Sequence, residues 1–280
     1  MRTPARRPFF VAAACAAIAL LASPALAAED DDAKSLFGEA VAALRDGRPA
    51  DAISSLEALA DRGFVDAAAS YDRGLAYATR VRIGAEAPGD LGRAAHGFEE
   101  ARDLARDPRL ADDALRALAA VRSEVARRRV RAGEPVEVDP GRSLARTVAS
   151  VLSEDTWSAL AALSSASAGL ALFVRWLARR RQLRVAGGVA AGVAAPALAL
   201  AVAMTLAARH DRMHLREGVV VTGSARPTDE RGMVVPGAAA FPEGARVELV
   251  DARGPWTHVR FGSIEAWLAS SALRELARRP

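Results

Sequence analysis

The sequence predicts a multidomain fold: an α-helical repeat array, then a transmembrane helical hairpin, then a small all-β barrel. Hydrophobic residues make up 51% of the chain but aromatic residues only 5%, so Ala, Leu and Val supply most of the apolar surface, as they do in helical arrays and membrane spans. Two long apolar stretches lie in the second half of the chain, and β-branched residues with a period of two follow Arg216. These three observations each predict one part of the fold.

The N-terminus predicts a secretory signal peptide at residues 1–27. A basic segment precedes an apolar run at residues 9–22, and Ser-Pro-Ala-Leu-Ala follows at residues 23–27. The apolar run is shorter than the ~20 residues that a spanning helix needs, which favours cleavage after Ala27 over the alternative, an uncleaved anchor. Cys15, the only cysteine, lies inside this segment, so the predicted mature chain has no disulfide.

The charge balance argues against a nucleic-acid-binding protein. The formal net charge is +4, and three arginines of the signal peptide account for most of it. The high pI of about 10.1 reflects the use of Arg for nearly all basic residues, since Lys34 is the only lysine. A protein that binds nucleic acid needs a concentrated basic surface, which this composition does not predict.

Residues 28–132 are predicted to form successive amphipathic helices with turns at Gly47 and Gly63. Small and apolar residues fall at the spacings of a 34-residue helix–turn–helix unit: Gly47, Ala52, Leu56, Leu59, Gly74, Ala76, Tyr77, Ala94, Phe98 and Ala101. The segment resembles tetratricopeptide repeats, although the link from Arg80 to Asp90 is longer than that repeat allows. A further amphipathic stretch, Leu110–Arg129, is predicted to cap the array. An ordinary α-helical bundle is the alternative.

Two membrane-spanning helices are predicted after a linker at residues 133–156. The first, residues 157–178, is interrupted only by Arg175, and the second, residues 185–208, contains no charged residue. Both are long enough for a hydrocarbon core ~30 Å thick. Glycine and serine at four-residue spacing, as in Gly188 and Gly192, predict that the two helices pack closely together.

The turn between the spans, residues 179–184, is predicted to be cytoplasmic. It contains four arginines, Arg179, Arg180, Arg181 and Arg184, and positively charged loops favour the cytoplasmic side. Both soluble parts are then expected on the periplasmic or extracytoplasmic face of the bacterial inner membrane, in agreement with the signal peptide.

Residues 217–280 are predicted to form a small β-domain. The period-two pattern predicts strands at Val219–Thr222, Ala245–Val250, Thr257–Phe261 and Ile264–Leu268. The segments Pro242-Glu-Gly, Trp256-Thr-His-Val and Glu265-Ala-Trp resemble the repeated elements of the bacterial SH3-like domain, with Ala266 where that family has a glycine. The resemblance implies a small barrel.

The order of the segments is similar to that of BatE-type proteins, the tetratricopeptide members of the bacterial Bat aerotolerance group. The best-matching stretches are Asp155 through Arg184 and the C-terminal module. This resemblance implies partnership with membrane-bound von Willebrand A-type Bat proteins and, across the membrane, with a MoxR-type ATPase.

Candidate partner-binding residues come from both soluble parts. Lys34, Phe37 and Tyr71 occupy positions corresponding to the inner groove of tetratricopeptide repeats, and Trp256 and Trp267 are the aromatic residues best suited to a binding face on the β-module. Packing in the interior is the alternative for each aromatic residue. No catalytic residue, cofactor or metal is expected: His210 and His214 are one helical turn apart, but neighbouring arginines would repel a cation.

The sequence therefore predicts a non-enzymatic scaffold or adaptor that holds protein partners through its repeats and its β-module. The alternative is a cell-wall-binding or envelope-stress sensor protein whose β-module contacts peptidoglycan.

Overall fold

The computed structural model describes residues 31–134, 152 and 154–277, which contain seven α-helices and one five-stranded sheet. The predicted signal peptide at residues 1–27, most of the predicted linker at residues 133–156, and the last three residues lie outside the described residues.

Five helices form the N-terminal part: α1 over residues 31–45, α2 Pro49–Asp61, α3 Ala67–Arg82, α4 Asp90–Leu104 and α5 Pro108–Ala132. Helix α2 packs against α3, α3 against α4, and α4 against α5. The side chain of Asp66 caps α3 by accepting hydrogen bonds from the backbone of Ala68 and Ala69. The amphipathic stretch predicted at Leu110–Arg129 is confirmed as part of α5.

The helical core contains many small residues, which lets the helices approach closely. Phe98 and Leu118 are its largest fully buried apolar side chains among many alanines. Where α3 crosses α4, a Cβ atom placed on Gly97 would lie 2.6 Å from the backbone nitrogen of Gly74. The two backbones therefore touch at a point where only glycine fits.

The two helices predicted to span the membrane are present, as α6 Glu154–Leu177 and α7 Arg181–His214. Both are long and apolar enough to cross a membrane, and little of either is buried within the protein. They pack along each other.

The closest backbone approach of these two helices is at Gly187, where a Cβ would lie 2.8 Å from the carbonyl oxygen of Ala171. Of the two predicted glycines, Gly188 faces the side chain of Arg175 in α6, whereas Gly192 has no neighbour from α6 within 4 Å of a Cβ.

The chain reverses between these helices over residues 178–180, a shorter turn than the predicted 179–184. Arg181 and Arg184 belong to the first turn of α7, and the Nε of Arg184 donates a 2.8 Å hydrogen bond to the carbonyl oxygen of Ala178. This bond satisfies a carbonyl that the end of α6 would otherwise leave without a partner.

The C-terminal part is an antiparallel sheet with the strand order β4-β3-β2-β1-β5. Its strands are β1 Arg216–Val220, β2 Arg246–Arg253, β3 Trp256–Phe261, β4 Ile264–Ala269 and β5 Leu273–Glu275. Four strands are found where the sequence predicts them, although β1 starts three residues before and ends two residues before the predicted Val219–Thr222, and the three-residue β5 is additional. The sheet is open, whereas the sequence predicts a closed barrel. Val220, Val247, Val259 and Leu268 form the centre of its core.

The helices α1–α5 and the sheet form one body, although the sequence suggests separate domains. Helix α4 packs against β1, and a Cβ on Gly92 would lie 2.6 Å from the carbonyl oxygen of Val220. Only Leu215 separates the end of α7 from the start of β1. We call residues 31–134 and 216–277 the soluble body and residues 154–214 the hairpin.

Candidate functional site

The junction between the helices and the sheet is built around α4, which is buried on nearly all sides. Helices α3 and α5 and strand β1 all contact it. Four ionisable residues of α4, Asp90, His96, Glu99 and Glu100, are almost completely buried. Ionised groups are costly to bury unless they are paired, so the partners of these residues determine how the body holds together.

Arg246 of β2 is the central cation of this junction. One guanidinium nitrogen donates to Glu99 at 2.7 Å, and the other contacts Asp103 at 2.7 Å and also Glu217. Glu99 accepts a second bond from Arg122 of α5 at 2.7 Å. The sheet, α4 and α5 are thus connected through one carboxylate, and we call these five residues the Arg246 cluster.

The charges of this cluster stabilise one another. Burial alone would lower the pKa of the Arg246 guanidinium, but Asp103, Glu217 and Glu99 raise it well above its ordinary value. Burial likewise acts to raise the pKa of Asp103, yet Arg246 and Arg102 hold that pKa below its ordinary value. Arg246 and Asp103 are therefore ionised in the folded protein because their partners are present.

A second buried network joins α3, α4 and the C-terminal segment. The guanidinium of Arg73 donates to Glu100 at 2.5 Å, and Ser70 donates to the same carboxylate oxygen at 2.7 Å. The other oxygen of Glu100 accepts the backbone N–H of Ala277 at 3.1 Å. Glu100 therefore binds the end of the described chain to the helices.

His96 completes this network as a neutral imidazole. Burial lowers its pKa from 6.5 to about 4, and Glu100 only partly opposes that effect. Its Nε2 lies 3.0 Å from the carbonyl oxygen of Glu275, and its Nδ1 lies 3.4 Å from a guanidinium nitrogen of Arg73. Since a carbonyl can only accept and Arg only donate, Nε2 carries the proton and Nδ1 accepts.

A cavity of about 370 Å³ opens beside this network, with Arg73, His96, Glu100 and Arg274 in its wall. The Nε of Arg73 is buried, and none of the described residues accepts a hydrogen bond from it. The Nη2 of Arg73, both ring nitrogens of His96, both oxygens of Glu100 and both terminal nitrogens of Arg274 have hydrogen-bond partners. The cavity could hold water or a small acceptor group.

Two further contacts fix the sheet to the helices. Arg274 of β5 forms a two-pronged ion pair with Glu57 of α2, with nitrogen–oxygen distances of 2.9 and 2.5 Å. Burial acts to raise the pKa of Glu57, but Arg274 lowers it below its ordinary value. The carboxylate of Glu243 accepts the backbone N–H of Gly92 at 2.7 Å, so a loop of the β-module caps the N-terminus of α4.

These polar groups are arranged to hold surfaces together. The carboxylates of Glu57, Glu99 and Glu100 pair with arginines, that of Glu243 accepts a backbone N–H, and His96 has both nitrogens engaged. Among the described residues, no group of three or more His, Cys, Asp or Glu side chains is placed to hold a metal ion.

Of the predicted groove residues, Phe37 and Tyr71 lie at the edge of the helical core. Both are half-buried and pack against the core cluster, and the ring centroid of Tyr71 lies 5.5 Å from that of Phe98. Lys34 is exposed and lies 3.6 Å from Asp31. The two aromatic residues are thus partly accessible and also contribute to packing.

The predicted aromatic residues of the β-module lie on the sheet face opposite its main core. Trp267 is buried and stacks on His258 at 4.9 Å between ring centroids, while Arg253 lies over the Trp267 ring. Trp256 is half-buried on the same face. Backbone hydrogen bonds join Thr228 to Trp267. They place the loop between β1 and β2 beside strand β4. The structure therefore brings the two tryptophans to one face.

The four arginines predicted to determine the topology, Arg179, Arg180, Arg181 and Arg184, are all exposed at the turn of the hairpin. They lie at the opposite end of α7 from the soluble body. The structure thus separates a basic end from the end where the body is attached.

Sequence reasoning did not identify the buried network. Its members are up to 217 residues apart in the chain, as in the pair formed by Glu57 and Arg274. The signal that could have pointed to it is in α4, where Gly92 and Gly97 lie inside a helix. Glycine destabilises a helix interior, so two of them indicate that other backbones approach this helix closely and that its charged residues are buried with it.

In comparisons with protein-family models, curated proteins and solved structures, nothing matches this chain.

Proposed function

We propose that the chain is a non-enzymatic, membrane-anchored scaffold or adaptor of the bacterial cell envelope that presents one rigid soluble body to protein partners. The observation that carries the proposal is the buried charge network that joins the helices to the sheet. A body fixed by several buried ion pairs keeps its surface features at constant distances, as a scaffold requires.

The membrane arrangement follows from the same contacts. The pair between Glu57 and Arg274 and that between Glu99 and Arg246 require the helices and the sheet to lie on one side of any membrane. Two spans between them return the chain to the side from which it entered. Two helices of suitable length and composition, α6 and α7, lie in that part of the chain.

The proposal also assigns each part of the soluble body to a class of domain. We infer that α1–α5 are a degenerate tetratricopeptide-like array and that the sheet is a bacterial SH3-like module, as in BatE-type proteins. The partners would then be von Willebrand A-type Bat proteins and a MoxR-type ATPase system. The body would lie on the extracytoplasmic face of the inner membrane, and the arginine-rich turn in the cytoplasm.

Orientation can be tested with single cysteines at two exposed positions, Gln182→Cys beside the turn and Ser224→Cys in the body. Cys15, the only natural cysteine, is replaced by serine in both variants. In intact cells, a membrane-impermeant thiol reagent should label position 224 and not position 182 until the cells are lysed. The reverse pattern would contradict the orientation.

Partner binding can be tested by affinity purification of the full chain from bacterial membranes. Co-purification of von Willebrand A-type proteins with the wild type and with Arg260→Met, but not with Arg246→Met, supports the proposal. Arg260 is an exposed arginine of the same sheet and serves as the matched control. Equal recovery with both variants would contradict a role for the intact body.

The face formed by Trp256, His258 and Trp267 favours the second candidate function, a cell-wall-binding or envelope-stress sensor protein. Stacked aromatic rings with a nearby arginine can bind the sugar rings or peptides of peptidoglycan. Retention of the full chain on isolated cell wall, lost in Trp256→Ala, would support this alternative over the scaffold.

A further inference from the structure

One end of the sheet carries a group of exposed apolar side chains. Met233, Val234 and Val235 are consecutive in the chain and have 68, 51 and 38% of their surface exposed. Trp256 is half-buried at the start of β3. We call these four residues the apolar tip. Exposed apolar side chains that are grouped, rather than scattered singly, indicate a contact surface.

The apolar tip is held in place by defined contacts. The backbone N–H groups of Arg231 and Met233 donate to the side chain of Asp229, each at 2.9 Å. A Cβ atom on Gly232 would lie 2.7 Å from the Trp256 indole, so this loop packs against Trp256. The side chains of Met233 and Val234 are therefore exposed on an ordered loop.

Strand register places this end of the sheet near the membrane. Arg216, two residues after the end of α7, pairs with Leu249 of β2. Because the pairing is antiparallel, β2 runs in the direction opposite to β1, that is, back toward α7. From Leu249 to its end at Arg253, β2 covers at most about 13 Å. From Ala208, the end of the predicted span, to His214 is about 9 Å along the helix, and Leu215 and Arg216 add at most about 7 Å. If β1 continues in the direction of α7, the β2–β3 turn therefore comes within about 3 Å of the depth at which α7 leaves the bilayer, which is less than the length of one side chain.

The charges around the apolar tip are not those of a surface that binds anionic lipid. Arg253 pairs with Asp251 at 3.1 Å. Two acidic residues, Asp229 and Glu230, immediately precede Arg231. Any attraction to the membrane must therefore come from the apolar groups. Met, Val and Trp side chains are suited to the boundary between headgroups and acyl chains.

We propose that the apolar tip contacts the phospholipid surface of the bilayer that α6 and α7 cross, and so fixes the orientation of the soluble body against the membrane. The connection through Leu215 is a single residue, so a second contact is needed to hold the body at one angle. The proposal rests on the membrane arrangement given above. It requires only a zwitterionic lipid.

The test uses the full chain, with Cys15→Ser, in phosphatidylcholine nanodiscs with one spin label per variant. Met233→Cys reports on the apolar tip. Ile264→Cys is the matched control, because Ile264 is an exposed apolar residue, 55% accessible, at the opposite end of β3 and β4, about 17 Å away along the strand. Leu170→Cys, 64% exposed in α6, reports on the hairpin itself.

Collisions with oxygen and with a water-soluble nickel complex measure the depth of each label. We expect the ratio of oxygen to nickel accessibility to be highest at position 170, intermediate at 233 and several-fold lower at 264. A label at 233 as water-exposed as the one at 264, with 170 in lipid, overturns the lipid contact alone. Water exposure at all three positions overturns the membrane arrangement and the lipid contact together.

Discussion

The soluble body and the hairpin hold their helices together by different means. In the body, α4 is fixed by ion pairs whose carboxylates are fully buried, such as Glu99 with Arg246 and Arg122. In the hairpin, α6 and α7 pack through small residues, and Gly187 lets the helices approach at Ala171. The body therefore depends on charge pairing and on pH, whereas packing of the hairpin depends on shape.

The largest expected effect is that of Arg246→Met, which leaves Glu99, Asp103 and Glu217 without their shared cation. Removal of one partner of a buried ion pair costs about 3–5 kcal/mol. Urea unfolding of the full chain in detergent micelles, followed by circular dichroism, should show a loss of this size in the free energy of unfolding of the body.

Arg260→Met is the control for this change, because Arg260 pairs with Glu265 and Glu248 at the surface. Exposed ion pairs contribute about 0–1 kcal/mol. Equal destabilisation by the two substitutions would show that the Arg246 cluster is no more important than a surface pair.

A smaller effect is expected from pH, through His96. The folded-state pKa of His96 is about 4, against 6.5 in an unfolded chain. Between these values the unfolded chain binds a proton that the folded body does not, so the free energy of unfolding should fall as the pH is lowered from about 6.5 toward 4. The His96→Gln variant should be less stable than the wild type at pH 7, but its free energy of unfolding should change less with pH.

Unfolding measured at pH 6.5 and 5 tests this prediction. This pH range lies above the ordinary pKa values of Asp and Glu. Changes in the protonation of Glu57 and Asp103 therefore contribute little to the change in the free energy of unfolding. The same slope in the wild type and in His96→Gln would show that His96 is not responsible for the pH dependence.

The smallest of the three effects concerns shape. In Gly97→Ala, the new methyl group would lie 2.6–2.8 Å from backbone atoms of Gly74 and Ser70, so α3 and α4 must move apart, at a cost of about 1–3 kcal/mol. Gly38→Ala is the control, since no atom lies within 4 Å of that site, and it should stabilise α1 by about 0.5–1 kcal/mol. Thermal melts that show no difference between these variants would contradict the close crossing.

The two helices of the hairpin could be predicted from uncharged length alone, because that signal is local. Their bounds differ by several residues: the structure has Glu154–Leu177 and Arg181–His214 where the sequence predicts 157–178 and 185–208, so the turn is shorter. Four strands followed in the same way from alternation of apolar residues. Strand β5 was missed because three residues, Leu273–Glu275, are too few to show a period.

The junction could not be predicted, because its members are distant in sequence and look like surface residues. Glu99, Glu100 and Arg246 are charged residues that normally lie in water. Only the fold brings Arg246 of β2 to Glu99 of α4, 147 residues away. Local periodicity therefore predicted two separate domains where long-range charge pairing makes one body.

Hydrogen–deuterium exchange of the full chain in nanodiscs tests most directly whether the helices and the sheet are one unit. Amides of α4 and of β2 should open with the same free energy in the wild type, and Arg246→Met should accelerate exchange in both elements while α6 and α7 stay unchanged. Arg260→Met should alter neither element. Faster exchange in β2 alone, with α4 still protected in Arg246→Met, would contradict the account and show that the helices fold independently of the sheet.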